Sequence, residues 1–228
     1  MKKLLLLAAL PLFLIGCNSG GEGGDGGDTS GGEHLPYSEE QASNKLADLA
    51  KSSGFEIVYE AKDSEDTNVS ATVGIKNGFH WYVGGDDHTM FSYLDGKLTN
   101  YDWSSENSNY VKAPGELEGE LAQKMYDTYL LAFTGSFYAA NAFDDGDPYF
   151  HKVKDLTFVG RSAVEYSYDV VSVGVAEAHY KAIIDKDLGI TLYWKVSGSS
   201  SSGSGFASFE ITSFKTGDAV SIPPIAAE

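Results

Sequence analysis

Acidic, histidine and serine side chains are the groups in this sequence that could hold a metal ion or act in catalysis. The densest polar cluster is Asp86-Asp87-His88, and carboxylate and imidazole groups are common metal ligands. This cluster follows Gly84-Gly85 between two segments of strand pattern, which favours a solvated turn over a metal site. A second acidic run, Asp144-Asp145-Gly146-Asp147-Pro148, lacks the spacing and closing glutamate of a calcium loop, and we predict an ordinary loop there.

No motif in the sequence supports an enzyme. The chain has no Gly-x-Ser-x-Gly elbow, phosphate-binding loop or dinucleotide fingerprint. The serine run in residues 197–205 has no neighbouring base and predicts a flexible Gly/Ser loop. Strand alternation places His80 and His179 on the outward sides of their strands. A catalytic pair of carboxylates remains an alternative, because acidic residues are abundant and their spacing alone does not identify a pair. We predict no catalysis, no metal and no cofactor.

The only cysteine, Cys17, follows an N-terminal segment of the secretory type. Lys2 and Lys3 give a positive start, and about 12 apolar residues follow, too few for the roughly 20 that span a bilayer. The residues Leu14-Ile15-Gly16-Cys17 resemble the bacterial lipobox. This resemblance implies a lipoprotein signal peptide over residues 1–16 and acyl chains such as palmitate on Cys17. The alternative is an ordinary secretory signal with a cysteine placed there by chance.

Residues 17–34 contain the predicted lipidated cysteine and a Gly-rich acidic run. Glycine has no side chain to bury and the acids repel one another, so we predict a flexible tether. Gly20-Gly21-Glu22-Gly23-Gly24-Asp25 matches the opening of a calcium-binding nonapeptide repeat, but no second copy follows. The remainder, residues 35–228, is long enough for one domain with a sizeable core.

The charge of the chain excludes some partners. The formal net charge is −17, and loss of Lys2 and Lys3 with the leader makes it two units more negative, at −19. Arg161 is the only arginine, so the clustered basic residues needed for nucleic acid binding are missing. The same charge disfavours direct adsorption to anionic lipid. Acyl chains on Cys17 would then have to supply the membrane anchor.

Two kinds of periodicity describe the domain. Residues 38–53 predict a helix, with Ser38 and Gln41 as a capping box and Gly54 at its end. A meander of about five strands follows, with hairpin signals at Asn77-Gly78 and Asp95-Gly96. Residues 116–143 then predict a second helical region that is apolar over a wide arc, so we expect it to be largely covered.

About five more strands follow residue 156, with a turn at residues 185–189. Antiparallel strands twist, so a sheet of this size curls and offers a concave face for helices to cover. The sequence therefore predicts an α+β fold: a curved antiparallel sheet of about ten strands, forming an unclosed half-barrel with helices over its concave face.

Five short stretches in the second half share a pattern with a known superfamily. They are Val159-Gly160-Arg161-Ser162-Ala163, Tyr180 with Ile184-Asp185-Lys186-Asp187-Leu188-Gly189, Leu192-Tyr193-Trp194, Phe209-Glu210-Ile211-Thr212 and Ile222-Pro223. This pattern resembles the lipoprotein-carrier superfamily of LolA/LolB-like and LppX/LprG-like proteins. The resemblance implies one LolA-like domain over residues 35–228, with a helix-lidded cavity that holds acyl chains.

Large aromatic residues are the candidate lining of such a cavity. The alternative is a filled core, which would leave no void of about 300 Å³ or more. The predicted cavity residues are Trp81, Tyr93, Trp103, Tyr129, Phe133, Phe137, Tyr166 and Trp194.

Two functions follow from these features. The first is a lipoprotein of the cell envelope, anchored on the extracytoplasmic side of a membrane, that binds or carries a lipid, an acyl chain or another hydrophobic ligand. The second is a surface interaction module that binds a protein or glycan without a ligand cavity. Neither prediction identifies the ligand or a protein partner.

Overall fold

The computed structural model describes residues 35–65, 67–138, 150–172, 176–200 and 203–227. The predicted signal peptide, the tether with Cys17 and the acidic loop at residues 144–148 lie outside the described residues. Among the described residues, no helix is both long enough and apolar enough to cross a membrane.

The described elements form one sheet and two helices, and the predicted α+β half-barrel is confirmed. In chain order they are α1 (Glu39–Ser52), β1 (Phe55–Asp63), β2 (Asn68–Lys76), β3 (Phe79–Gly84), β4 (Asp87–Leu94), β5 (Lys97–Ser104), β6 (Asn109–Glu118), α2 (Gly119–Gly135), β7 (Phe150–Phe158), β8 (Arg161–Ser172), β9 (Ala176–Asp185), β10 (Thr191–Ser200) and β11 (Gly203–Thr216). A short 3-10 turn follows at Gly217–Ala219.

The sheet has eleven antiparallel strands in the order β6-β5-β4-β3-β2-β1-β11-β10-β9-β8-β7. Each half of the chain forms a meander whose neighbours are consecutive in sequence, and the first and last strands pair at the centre. Strands β6 and β7 are therefore the two edges, and the sheet does not close on itself.

Local signals account for the first helix and two hairpins. The Ser38 hydroxyl accepts the Gln41 N–H, and the Gln41 side chain accepts the Ser38 N–H at 2.9 Å, so the predicted capping box is confirmed. Asn77 and Asp95 take φ values of 51° and precede glycines with φ of 79° and 76°. Two such residues in succession match the twist of a two-residue hairpin.

Two predicted boundaries are wrong. Residues 116–118 belong to β6 rather than to a helix, because they pair with β5 as Thr99↔Glu116, Leu98↔Leu117 and Lys97↔Glu118. The serine run was expected to be a loop, but Ser197↔Phe206 and Gly198↔Gly205 pair across β10 and β11. Pairing with β9 on the other side of β10 holds this small-residue segment in the sheet.

Directly paired residues share a face of an antiparallel sheet, so the register separates the two faces. The row Ile57–Val73–Tyr82 and the row Ile75–His80–Phe91 lie on the face that the helices cover, which we call the helix face. The row Gly74–Trp81–Met90–Tyr101 lies on the opposite face.

Candidate functional site: the helix face of the sheet

The main hydrophobic core lies between the centre of the sheet and the two helices. Leu46 of α1, Phe55 and Ile57 of β1 and Ile211 of β11 are fully buried in it. The helices are also joined to each other, because the Ser43 and Thr134 hydroxyls form a buried hydrogen bond of 2.8 Å. This cluster makes the centre of the helix face an apolar surface.

Three of the eight predicted cavity residues lie in this core. Phe137 is buried, and Phe133 and Trp194 pack against the cluster while partly exposed. The Phe133 and Phe137 rings contact edge to face at 5.9 Å, and Phe137 in turn contacts Tyr59 at 6.4 Å. The end of α2 and the residues just after it thus cover β1 and the neighbouring strands with aromatic rings.

Two more predicted residues form an aromatic layer between α2 and β4. Tyr93 stacks on Tyr126 of α2 at 4.6 Å, and its hydroxyl donates to the Gln123 side chain at 2.6 Å. Tyr129 contacts Phe91 at 5.2 Å but remains 44% exposed. This layer is continuous with the core through the rings beneath α2.

Most side chains of helix α2 are exposed above that layer, so the expectation that the helix is largely covered is wrong. Only Ala122, Leu130 and Thr134 are buried among its residues. Leu121 and Leu131 are 58% and 54% exposed. The sequence pattern showed a broad apolar arc but not how much of that arc the sheet could reach.

His80 lies beneath α2, although alternation had predicted an outward position. Its ring stacks on Phe91 at 4.5 Å and meets Tyr126 edge to face at 5.2 Å. The side chain is 3% exposed, and its Nε2 has no hydrogen-bond partner. Burial lowers the pKa of His80 from 6.5 to about 4, so the ring is neutral at ordinary pH.

A tyrosine pair that the sequence reasoning did not select lies on the same face. Tyr59 is 3% exposed, and its hydroxyl is paired with that of Tyr82, two residues beyond His80 on β3. Burial is the largest cause of the raised pKa of both phenols. Tyr82 raises the pKa of Tyr59 further, and the Asp87 carboxylate raises the pKa of Tyr82 further. Strand alternation from Ile57 and His80 indicates that Tyr59 and Tyr82 share the faces of those residues. It does not indicate that the two tyrosines contact each other.

Small residues leave room for this tyrosine pair. A Cβ added at Gly84 would lie 2.3 Å from the Tyr82 hydroxyl oxygen and 3.2 Å from the Ala71 Cβ. Ala71 is paired with both Tyr59 and Gly84 across the strands. The Tyr82 phenol therefore occupies space that any larger residue at position 84 would fill.

Tyr166 belongs to a second cluster in the other half of the sheet. It packs with Val164, Ala182 and Ile184, and Leu35 and Tyr138 contact the cluster from outside the sheet. The sequence could assign Tyr166 to a strand face but could not show that it is separate from the main core.

Trp81 and Trp103 do not contribute to the helix face. They belong to a cluster on the opposite face with Met90, Tyr110 and Val220. The C-terminal segment 217–227 covers this cluster, and Tyr110 exchanges backbone hydrogen bonds with Pro224 and Ala226 at 2.9 and 2.8 Å. Both faces of β3 are thus buried, which is why alternation could not identify the side that meets the helices.

The predicted polar cluster at residues 86–88 does not form a joint site. Asp87 and His88 are both in β4 and pair with Gly84 and Val83, so their side chains point to opposite faces. The His88 ring stacks on Trp103 at 4.2 Å. Within the described ranges, no group of three or more His, Cys, Asp or Glu side chains is placed to hold a metal ion.

The turn that carries part of the superfamily resemblance is built around Asp185. Its carboxylate is fully buried and accepts the backbone N–H groups of Asp187 and Leu188, each at 2.8 Å. Arg161 donates to the same carboxylate, and its guanidinium lies 4.7 Å from the Phe214 ring centre. The predicted turn is confirmed. The pairing of Arg161 with Asp185 is visible only in the structure.

A surface pocket of about 590 Å³ lies away from the helix face, at the β6 edge. Residues 111–116 of β6 and Ala226 and Ala227 line it, and none of the eight predicted cavity residues does.

No family model and no curated protein matches this chain. Among solved structures, a chain of the Pseudomonas aeruginosa MucA/MucB complex is 15% identical with a TM-score of 0.36, covering 80% of this chain and 58% of that one. An uncharacterized conserved protein from Thermus thermophilus is 9% identical with a TM-score of 0.31, covering 83% and 99%. A LolA superfamily protein from Nitrosomonas europaea is 7% identical with a TM-score of 0.21, covering 78% and 93%. This chain thus spans less than two thirds of the first of these structures.

Proposed function

We propose that this chain is a non-enzymatic lipoprotein of the cell envelope that binds an acyl chain or another hydrophobic ligand between the helix face and α2. Lipidation of Cys17 would anchor it to a membrane on the extracytoplasmic side, with residues 17–34 as a tether. The lipobox pattern at residues 14–17 supports the anchor, and the geometry of the helix face supports the ligand.

The small number of buried side chains in α2 is the observation that carries this proposal. An apolar and aromatic surface lies beneath a helix that buries only three of its side chains, Ala122, Leu130 and Thr134. Few buried contacts mean a low free energy of local opening. An acyl chain that enters when α2 lifts would gain about 0.8 kcal/mol for each buried methylene group. Such a site selects for chain length more than for the head group.

Photocrosslinking in isolated membranes tests this function with the full, anchored chain. A palmitate analogue with a diazirine in its chain is added, illuminated, and the labelled peptides are mapped. We expect labels on α2 and on β1, β3 and β4. Labels confined to the C-terminal segment, or none, would reject binding at the helix face.

A surface interaction module is the second candidate. The exposed apolar side chains of α2, Leu121, Tyr129 and Leu131, favour it, because exposed apolar groups of this size often meet a partner. In that case the palmitate analogue would leave the helix face unlabelled. Replacing Leu121 and Leu131 by serine would then abolish capture of a partner without changing the fold.

A further inference from the structure

The outward sides of the two helices differ in polarity. In both helices, residues at the spacing i, i+4, i+8 and i+11 face away from the sheet, and this spacing puts them on one side of a helix. The four positions on α1 are all polar or charged: Glu40, Asn44, Asp48 and Lys51. The four positions on α2 are all uncharged and at least partly exposed, and we call them the apolar stripe: Leu121, Met125, Tyr129 and Ala132.

The charged side chains of α2 lie on a different flank from the apolar stripe. At about 100° per residue, the stripe covers about 80° of the helix, and Glu120, Lys124 and Asp127 lie together on the other side of the exposed arc. Glu120 and Lys124 form an ion pair at 2.7 Å, and Asp127 accepts a hydrogen bond from the Gln123 side chain at 2.9 Å. Leu131 lies among these charged residues and outside the stripe. A flat apolar surface can therefore contact the stripe without burying a charge of α2.

The apolar stripe is also continuous with the aromatic layer beneath α2. Tyr129 is a member of the stripe, and its ring contacts Phe91 of β4 at 5.2 Å. One partly exposed side chain thus belongs both to the outward stripe and to the surface that the proposed ligand would occupy. A hydrophobic ligand that reaches the stripe is one side chain away from the helix face.

The described part of the chain begins beside the end of α2. The Tyr138 hydroxyl donates to the Tyr37 carbonyl oxygen at 3.0 Å, and a Cβ added at Gly135 would lie 4.0 Å from the Glu39 carboxylate. Residues 17–34 precede this point, and a Gly-rich chain of 18 residues has an average span of about 23 Å. The 17 residues of α2 extend about 25 Å. Acyl chains on Cys17 would therefore keep the stripe within reach of the bilayer.

We infer that the apolar stripe of α2 rests on the bilayer to which the chain is anchored. This inference rests on the proposed function, because the anchor on Cys17 brings the helix to the membrane. It adds an orientation: α2 lies along the membrane surface with the stripe among the acyl chains and the charged flank toward water. A ligand would then pass from the bilayer along Tyr129 to the helix face without crossing water.

The charge of the protein favours a neutral surface as the occupant of the stripe. A formal net charge of −17 makes two copies of this chain repel each other, and it disfavours anionic lipid. An uncharged stripe contacts zwitterionic lipid through buried apolar area alone, and the anchor supplies the proximity that such a small area needs. A bilayer of phosphatidylcholine is therefore the surface that we use to test the contact.

Depth-dependent fluorescence quenching tests the contact with the full, anchored chain. The fluorophore NBD is attached to Ala132→Cys, and acylation of Cys17 would leave no other thiol in the chain. The purified protein is placed in phosphatidylcholine vesicles, and quenching by lipids with a nitroxide in their acyl chains is measured. Asn44→Cys is the matched control, because Asn44 is on the outward side of α1.

We expect the fluorophore at position 132 to emit at shorter wavelength and to be quenched several times more strongly than the fluorophore at position 44. Leu121→Ser in the Ala132→Cys chain should lower the ratio of docked to undocked helix about fivefold, because a leucine of the stripe no longer enters the bilayer. Leu131→Ser removes a leucine of similar exposure from the charged flank and should change this ratio less than about twofold.

Equal quenching at positions 132 and 44, or equal effects of Leu121→Ser and Leu131→Ser, would overturn the bilayer contact. Labelling of the helix face by the palmitate analogue would then still support the proposed function. A fluorophore that stays in water in the vesicles but becomes buried in isolated cell membranes would show a protein partner in place of lipid. Attachment of NBD to Cys17 of the wild type, with no protein on the vesicles, would overturn both the anchor and this inference.

Discussion

The ammonium group of Lys76 on β2 donates hydrogen bonds to the carbonyl oxygens of Gly217 and Val220, at 2.9 and 2.8 Å. Val220 is buried against Trp81 and Tyr110 on the opposite face of the sheet. One lysine thus fixes the start of the segment that covers this face. The contact joins residues that are far apart in the sequence.

Replacing Lys76 by methionine should loosen the C-terminal segment. Methionine keeps most of the apolar stem and removes two charge-assisted hydrogen bonds, so we expect a loss of about 1–2 kcal/mol in the free energy of unfolding. Urea denaturation measures this loss, and hydrogen exchange should quicken in residues 217–227. Lys62→Met is the control, since Lys62 is exposed and its ion pair with Glu60 lies at the surface. Equal losses in the two variants would contradict this role of Lys76.

His80 should make the protein less stable in acid. Its pKa falls from 6.5 to about 4 on folding, so the unfolded chain takes up the proton first as the pH decreases. The contribution of His80 is complete above pH 6.5 and is lost progressively down to pH 4. At that pH the loss reaches about 3 kcal/mol, from roughly 1.4 kcal/mol per pKa unit.

Comparison with His80→Phe isolates this contribution, because carboxylates also titrate in the same range. The variant should show a shallower decrease in unfolding free energy between pH 6.5 and 4. Parallel curves for the two proteins would show that His80 is not buried as a neutral group.

Arg161 should be more important for stability than an exposed ion pair. Its partner Asp185 is fully buried, so Arg161→Met leaves a carboxylate without its cation and should cost about 3 kcal/mol. Asp185→Asn in the same chain should restore part of the loss, because an amide oxygen can still accept the Asp187 and Leu188 N–H groups.

Lys154→Met gives the matched comparison for Arg161. Lys154 is 60% exposed and lies 3.6 Å from Glu165, so its removal should cost less than about 0.5 kcal/mol. Chemical denaturation of all three variants measures these differences. A loss for Arg161→Met as small as that for Lys154→Met would mean that the buried pair contributes little.

Gly78 and Gly96 should differ in their tolerance of alanine. Both have positive φ, at 79° and 76°, which costs alanine about 1 kcal/mol. A Cβ at Gly78 would also lie 2.6 Å from the Tyr93 carbonyl oxygen, whereas a Cβ at Gly96 would meet nothing within 4 Å.

Gly78→Ala should therefore reduce the melting temperature clearly more than Gly96→Ala. The difference reports the clash with the β4 backbone, because the conformational strain is common to both. Equal melting temperatures would show that β3 and β4 can separate at this point without cost.

The sequence by itself determined the features that depend on a few neighbouring residues. The capping box of α1, the turns at Asn77-Gly78 and Asp95-Gly96 and the Asp185 turn each need only local backbone conformation and nearby hydrogen bonds. Strand periodicity likewise determined the fold class, because alternation and hairpin signals specify an antiparallel meander. The missed strand β6 shows the limit of this reasoning: its acidic end resembles the first turn of a helix, and only pairing with β5 makes it a strand.

Tertiary structure alone decided which side of each strand meets the helices. Alternation divides residues into two sets but does not say what covers each set. For β3, α2 covers His80 and the C-terminal segment covers Trp81, and that segment is more than a hundred residues away in the chain. The Tyr59–Tyr82 pair depends on the register between strands, whereas the separation of Asp87 from His88 follows once both belong to one strand. Burial is a property of the partner surface as much as of the residue, so it emerges only when distant segments pack together.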